Sequence, residues 1–233
     1  GRPMHDSLST LRAFYRLGVR SLQLTGNGRN RLADGIAEAR TKGALTQFGV
    51  AVVKEMNRLG MIIDISHLSP AGVIDVLSVS EGPIIASHSN AKAICDHPRN
   101  LTDEIIRKIA EREGIVGLSF FSTLINKDKD LPTVEDLVDH VDHIANLVGI
   151  DYVGLGPDFS EFSIRINQWS GARGDMEGVQ YGNKESYFHP ELRGWSHLPN
   201  VTKTLLKRGY SEGNIRKVLG ENFLRVYKKV LKA

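Results

Sequence analysis

The stretch MIIDISHLSPAGVIDVLSVSEGPIIASHSN, residues 61–90, holds two strands separated by a helix and places a histidine after each strand. MIIDIS (61–66) is short and apolar without polar alternation, which is how a strand covered on both faces reads. SPAGVIDVLSV (69–79) follows as a predicted helix, with Ser69 at the N-cap and Pro70 at the first helical position. PIIAS (83–87) is a second short apolar strand. A strand, a helix and a strand in this order make a parallel unit, because parallel neighbours need a crossover.

The alternation extends in both directions. Upstream, DSLSTLRAFYRL (6–17) predicts a helix capped by Asp6 or Ser7, with Gly18 past its end. VRSLQLT (19–25) predicts a strand running into the loop GNGRNRLADG, and TQFGVAVVKEMNRL (46–59) an amphipathic helix stopped by Gly60. Downstream come a helix over 102–112 ended by Gly114, a strand over 115–121, a helix over 133–148 from Thr133 to Gly149, and a strand over 152–156. Residues 157–197 form a long loop rich in glycine, aromatics and charge, and helical stretches at 199–208, 211–219 and 221–231 close the chain. Five such strands fit a doubly wound sheet or part of a (β/α)8 barrel. With no linker or composition break, residues 1–233 are expected to be one domain.

Composition excludes several classes. Of 233 residues, 24% are charged and 41% apolar, which sets aside disordered and fibrous chains. The formal charge of +3 is spread along the chain, so no footprint for nucleic acid is expected. No apolar run approaches the roughly 18 residues of a membrane span. The single cysteine, Cys95, cannot form an internal disulfide and favours a reducing, cytoplasmic setting, though the compartment stays open. The opening GRPMHDSLST is neither a signal peptide nor a Met start, so the chain is expected to begin within a longer protein.

Polar residues at strand ends carry the chemistry. His67 follows MIIDIS, His88 follows PIIAS, and Asp158 follows YVGLGP. In a barrel those ends meet on one face, where active sites lie. Two imidazoles and a carboxylate there could bind zinc and handle a proton, and each could equally be a capping or hydrogen-bonding residue. His140 and His143 lie beside the packing stripe of their helix and read as structural. His97 lies in a turn. Arg99 reads, on residue physics alone, as a solvated loop arginine. Gly26, Asn27 and Gly28 lack the spacing of a phosphate-binding loop and read as an ordinary connection. Cys95 has no positioned base and reads as buried and inert.

Five blocks in order carry a resemblance: LRAFYRLGVRSLQLT (11–25), LTQFGVAVVKEMNRLGMIIDISHLS (45–69), PIIASHSNAKAICDHPRNL (83–101), VDHIANLVGIDYVGLGPDFS (141–160) and GNIRKVLGENFLRVYKKV (213–230). Together they resemble the membrane (renal) dipeptidase family of zinc metallopeptidases, over nearly the whole chain apart from 161–196. The resemblance implies a (β/α)8 TIM-like barrel of the metal-dependent hydrolase type, present here as about five C-terminal strand–helix units. It implies hydrolysis of dipeptides by metal-activated hydroxide at a two-zinc centre. The second-zinc histidines fall on His67 and His88, the acid/base aspartate on Asp158, and the arginine for the substrate carboxylate on Arg99. A pocket tyrosine corresponds to Phe121, and a histidine that helps stabilise the oxyanion to Gly26. The expected partner is a dipeptide, with a homodimer as a further candidate.

The departures narrow the expectation. The family's His-x-Asp pair for the first zinc lies on the first barrel strand, which is expected to precede this chain, and its bridging glutamate would fall two residues before Gly1. Roughly three N-terminal strands would then precede the chain, which by itself supports at most one zinc, through His67 and His88. Gly26 and Phe121 keep two alternatives open. One is an amidohydrolase acting on another small carboxylate-bearing amide; the other is a degenerate, non-catalytic barrel. The 161–196 segment, with Trp169, Tyr181, Tyr187, Phe188 and Trp195, could roof the pocket or form a surface excursion.

Overall fold

The computed structural model describes residues 1–4, 6–159, 175–176, 179–180 and 188–231. Its frame is a parallel sheet in the order β1 (Ser21–Gln23), β2 (Ile62–Asp64), β3 (Ile85–Ala86), β4 (Ile115–Leu118) and β5 (Val153–Leu155). Sequence order equals spatial order, and every pairing is parallel. That is the progression of a barrel wall, with each crossover made by a helix. Helix α1 (Leu8–Arg16) precedes β1, and the crossovers are α2 (Gln47–Leu59), α3 (Pro70–Val79), α4 (Asp103–Glu111) and, between β4 and β5, the single turn α5 (Ser122–Ile125) with α6 (Val134–Val148).

Local chemistry sets the helix starts. The side chains of Ser7, Thr46, Ser69, Thr102 and Thr133 each accept a backbone N–H of the first turn. Such a cap is worth about 1 kcal/mol, and each polar cap stands beside an apolar periodic run. Thr133 completes a capping box with Asp136. Gly60 ends α2 in the left-handed conformation. The end of α4 departs from expectation: Glu113, not Gly114, takes the left-handed turn, at φ 56°. Gly114 is needed for space, since a Cβ there would overlap the Ile84 carbonyl oxygen.

The sheet is apolar on both faces, as its unalternating strands predict. Ile63, Ala86, Val116 and Val153 belong to the main core with Val52, Met56, Val76, Ile106 and Val141 of the surrounding helices. The opposite face presents Ile62, Ile85 and Ile115 to Val226 of the last helix. The C-terminal elements are α7 (Leu198–Lys207), α8 (Glu212–Arg216), a π turn at Lys217–Glu221 and α9 (Asn222–Val230). Asn222 donates to the carbonyls of Ile150 and Val153, and Arg225 to those of Glu113, Gly114 and Asp151. All five carbonyls lie at or before the starts of β4 and β5. The last helix therefore closes the N-terminal end of the sheet and leaves the opposite end to the polar residues.

A short antiparallel pair, β6 (Asp175–Met176) and β7 (Val179–Gln180), lies within the predicted long loop. Of that loop's aromatics, Trp169, Tyr181 and Tyr187 fall outside the described residues. No helix among the described residues is long and apolar enough to cross a membrane.

Candidate active site

The C-terminal ends of the strands bring His67, His88 and Asp158 together. His67 lies three residues past β2 and His88 two past β3. Their Nε2 atoms stand 2.9 Å apart, with ring centroids 4.9 Å apart. Asp158 lies three residues past β5, with Oδ2 at 4.0 Å from His88 Nε2. His67 and Asp158 both hold left-handed backbone, at φ 71° and 58°. Such conformations cost a non-glycine residue about 1–3 kcal/mol and persist where their surroundings impose them. At His67 the constraint is visible, because its carbonyl accepts the Ile36 N–H at 2.8 Å.

Each imidazole is fixed through its far nitrogen. Nδ1 of His67 lies 2.6 Å from Asn27 Oδ1, and Nδ1 of His88 lies 2.7 Å from Ser87 Oγ. Asn27 and Asp64 are both buried. Asp64 accepts the N–H groups of Ser66 and Ser87 at 3.0 Å and the Ser87 hydroxyl at 2.5 Å. Reading the sequence residue by residue misses all three as site residues. Asp64 leaves a signal, a lone carboxylate inside an apolar strand, which must find donors when buried. Asn27, just past the β1 strand, leaves a weaker one, and Ser87 leaves none.

Burial governs the electrostatics. It pushes both imidazoles well below their ordinary range. Arg99 and His88 reinforce the shift at His67; Asp158 opposes it at His88. Both rings are therefore neutral near pH 7, the form that binds metals. Enclosure raises the Asp158 carboxyl, against the pull of His88 and Arg99. With 42% of that side chain still exposed, solvent damps the effect.

Arg99 corrects its residue-level reading. It is 4% exposed rather than solvated. Its Nη2 donates to the His88 carbonyl at 3.2 Å, and its N–H to Nδ1 of the buried His97 at 3.2 Å. The loop carrying it is pinned by Asn100, whose Nδ2 donates to the carbonyls of Cys95 and Leu124. Arg99 and His67 also line a cavity of about 270 Å³ between the starts of α3 and α4. On the other side, Phe121 packs against Phe188 at 4.7 Å, and Phe159 against both Phe188 and Trp195.

The remaining polar candidates stand apart. His140 is fully buried; Nδ1 accepts the Ala91 N–H and Nε2 donates to the Ile125 carbonyl, so both nitrogens hold the fold. His143 pairs with Asp103 at 2.7 Å. Cys95 is buried and forms no disulfide.

The donor chemistry fits a divalent ion between the histidines. Zinc–nitrogen bonds are about 2.0–2.1 Å, so two of them span a separation of 2.9 Å. Among the described residues, no group of three His, Cys, Asp or Glu side chains is close enough to hold an ion alone. The described residues therefore bring together two imidazoles with a carboxylate nearby, fewer than the three protein ligands usual for catalytic zinc.

The model of the membrane dipeptidase family, peptidase family M19, matches residues 1–173 and 178–233. The chain belongs to that family. Among its relatives is the dipeptidase tcpJ of Claviceps purpurea, 38% identical over 97% of this chain and 48% of that protein. This M19 chain thus spans about half the length of the curated relatives it matches. An amidohydrolase from Pseudomonas aeruginosa superposes with a TM-score of 0.84 at 32% identity, covering 97% of this chain and 69% of that one. A metallo peptidase from Rhodobacter sphaeroides, liganded with a phosphinate mimic of L-Ala-D-Ala, has a TM-score of 0.79 at 28% identity, covering 96% and 59%. The sheet is thus a stretch of an M19 barrel wall, as the five sequence blocks imply.

Proposed function

We propose that the protein containing this chain is a metal-dependent dipeptidase, with His67 and His88 as ligands to one zinc ion. The observation that carries this is the 2.9 Å approach of the two Nε2 atoms, with Asp158 and Arg99 at the same mouth. When bound, zinc would polarise the scissile carbonyl and lower the pKa of the attacking water from ~15.7 toward ~7.

The chain's own residues would do the rest. Asp158 takes the proton from the attacking water and passes it to the leaving amine. Its elevated carboxyl pKa suits both halves of that transfer. Arg99 binds the substrate's free carboxylate, and its planar fork restricts the site to short peptides ending there. Phe121 supplies an apolar wall beside the bound peptide.

The test is turnover of a dipeptide panel by the full-length protein, with zinc per chain measured alongside. Zinc-dependent hydrolysis supports the reading; a zinc-loaded protein inert to every dipeptide overturns it. A second reading, an amidohydrolase acting on N-acyl amino acids, is favoured by the likeness to the P. aeruginosa amidohydrolase and by phenylalanine at 121. Arg99 demands only a carboxylate, so N-acyl amino acids in the same panel separate the two.

A further inference from the structure

We infer that Asp64 and Ser87 are positioning residues that set the tautomer of His88, and that Asn27 does the same for His67. This rests on the metal reading of the two histidines and deepens it. Ser87 Oγ has one hydrogen and stands between Asp64 Oδ2 at 2.5 Å and His88 Nδ1 at 2.7 Å. A carboxylate can only accept, so the hydroxyl hydrogen goes to Asp64 and the hydroxyl oxygen must accept. His88 then carries its proton on Nδ1, and Nε2 presents a lone pair. Asn27 Oδ1 can likewise only accept, so His67 donates from Nδ1 at 2.6 Å and also turns a lone pair outward.

Both outward lone pairs meet at 2.9 Å, an arrangement that a cation between them satisfies. The serine acts as a polarity relay. Its direction is dictated by Asp64, itself held by the backbone N–H groups of Ser66 and Ser87. Replacing the carboxylate by an amide of equal shape, as in Asp64→Asn, reverses the relay. The introduced amide donates to Ser87 Oγ, the hydroxyl donates to His88 Nδ1, and the ring proton moves to Nε2.

The experiment is ¹⁵N NMR of the histidine rings in the full-length protein, with zinc affinity by competition against a chelator. In the parent, His88 is expected with Nδ1 protonated; in Asp64→Asn, with Nε2 protonated and zinc bound about 10–100-fold more weakly. Ser87→Ala keeps the carboxylate and removes the acceptor, and is expected to weaken zinc about tenfold while the His140 ring signals stay put. A parent His88 protonated on Nε2 overturns the inference. So does an Asp64→Asn chain with unchanged ring shifts. If Asp64→Asn does not fold, Ser87→Ala decides, and an affinity within about twofold of the parent overturns the inference. A parent that binds no zinc overturns the metal reading instead, and the ring shifts still decide the tautomer.

Discussion

The guanidinium of Arg99 donates to the main-chain carbonyl of His88 across 3.2 Å, tying the cation of the mouth to the backbone of one imidazole. The proposed carboxylate grip and the proposed metal ligand are therefore positioned by a single loop, residues 88–101. Disturbing that loop moves both.

Removing either imidazole separates metal binding from the fold. His67→Ala and His88→Ala are each expected to abolish zinc uptake at micromolar concentration, because one nitrogen is left on a buried wall. Helical circular dichroism should stay close to the parent, since both rings stand past the C-terminal ends of β2 and β3 rather than in the apolar core.

Arg99→Met tests the carboxylate grip. A charge-assisted hydrogen bond is worth about 1.5–3 kcal/mol, so kcat/KM for dipeptides in the full-length protein is expected to fall by about 10–100-fold. The loss should appear mainly in KM. Dipeptide amides, which offer no carboxylate, should be cleaved equally by parent and variant.

Gly156 is a steric requirement. A Cβ there would overlap the Ser87 carbonyl oxygen and lie 3.3 Å from His88 Cα. Gly156→Ala is expected to cost about 1–3 kcal/mol by denaturant unfolding and to weaken zinc binding, because the residues it displaces hold the ring.

Acid should destabilise the protein through His140. Burial lowers its pKa to about 4, against the ordinary 6.5 of an unfolded chain. A depressed folded value contributes stability above pH 6.5 that is lost as pH falls toward 4, because the unfolded state binds the extra proton. The full effect is about 3 kcal/mol. His67 and His88 shift the same way, so the comparison is with His140→Gln. That variant should be less stable at neutral pH for want of the Ala91 partner, but with a shallower slope between pH 6.5 and 4 in urea melts.

Local rules make much of this protein legible from its residues. The caps at Ser69, Thr102 and Thr133 are set by chemistry within one helical turn, and the apolar runs of β2 to β5 reflect burial on both faces. The order of strands and helices points to a parallel sheet, and the ends of three strands point to His67, His88 and Asp158. Family resemblance adds Arg99, which residue physics alone places in solvent.

The hydrogen-bond partners, by contrast, follow from packing. Asn27 lies 40 residues from His67 in sequence, and Asp64 lies 23 from Ser87, yet each pair is hydrogen-bonded. No periodicity or cap motif encodes a bond between side chains brought together by neighbouring strands, because their distance is set by sheet register. The same holds for Arg99: its burial comes from Asn100 and His97 folding the loop inward, an outcome that the polar composition of DHPRN does not reveal. Residue order was enough to say which side chains sit at strand ends. Which of their nitrogens face each other was settled when the strands paired, since that depends on distances between segments remote in the chain.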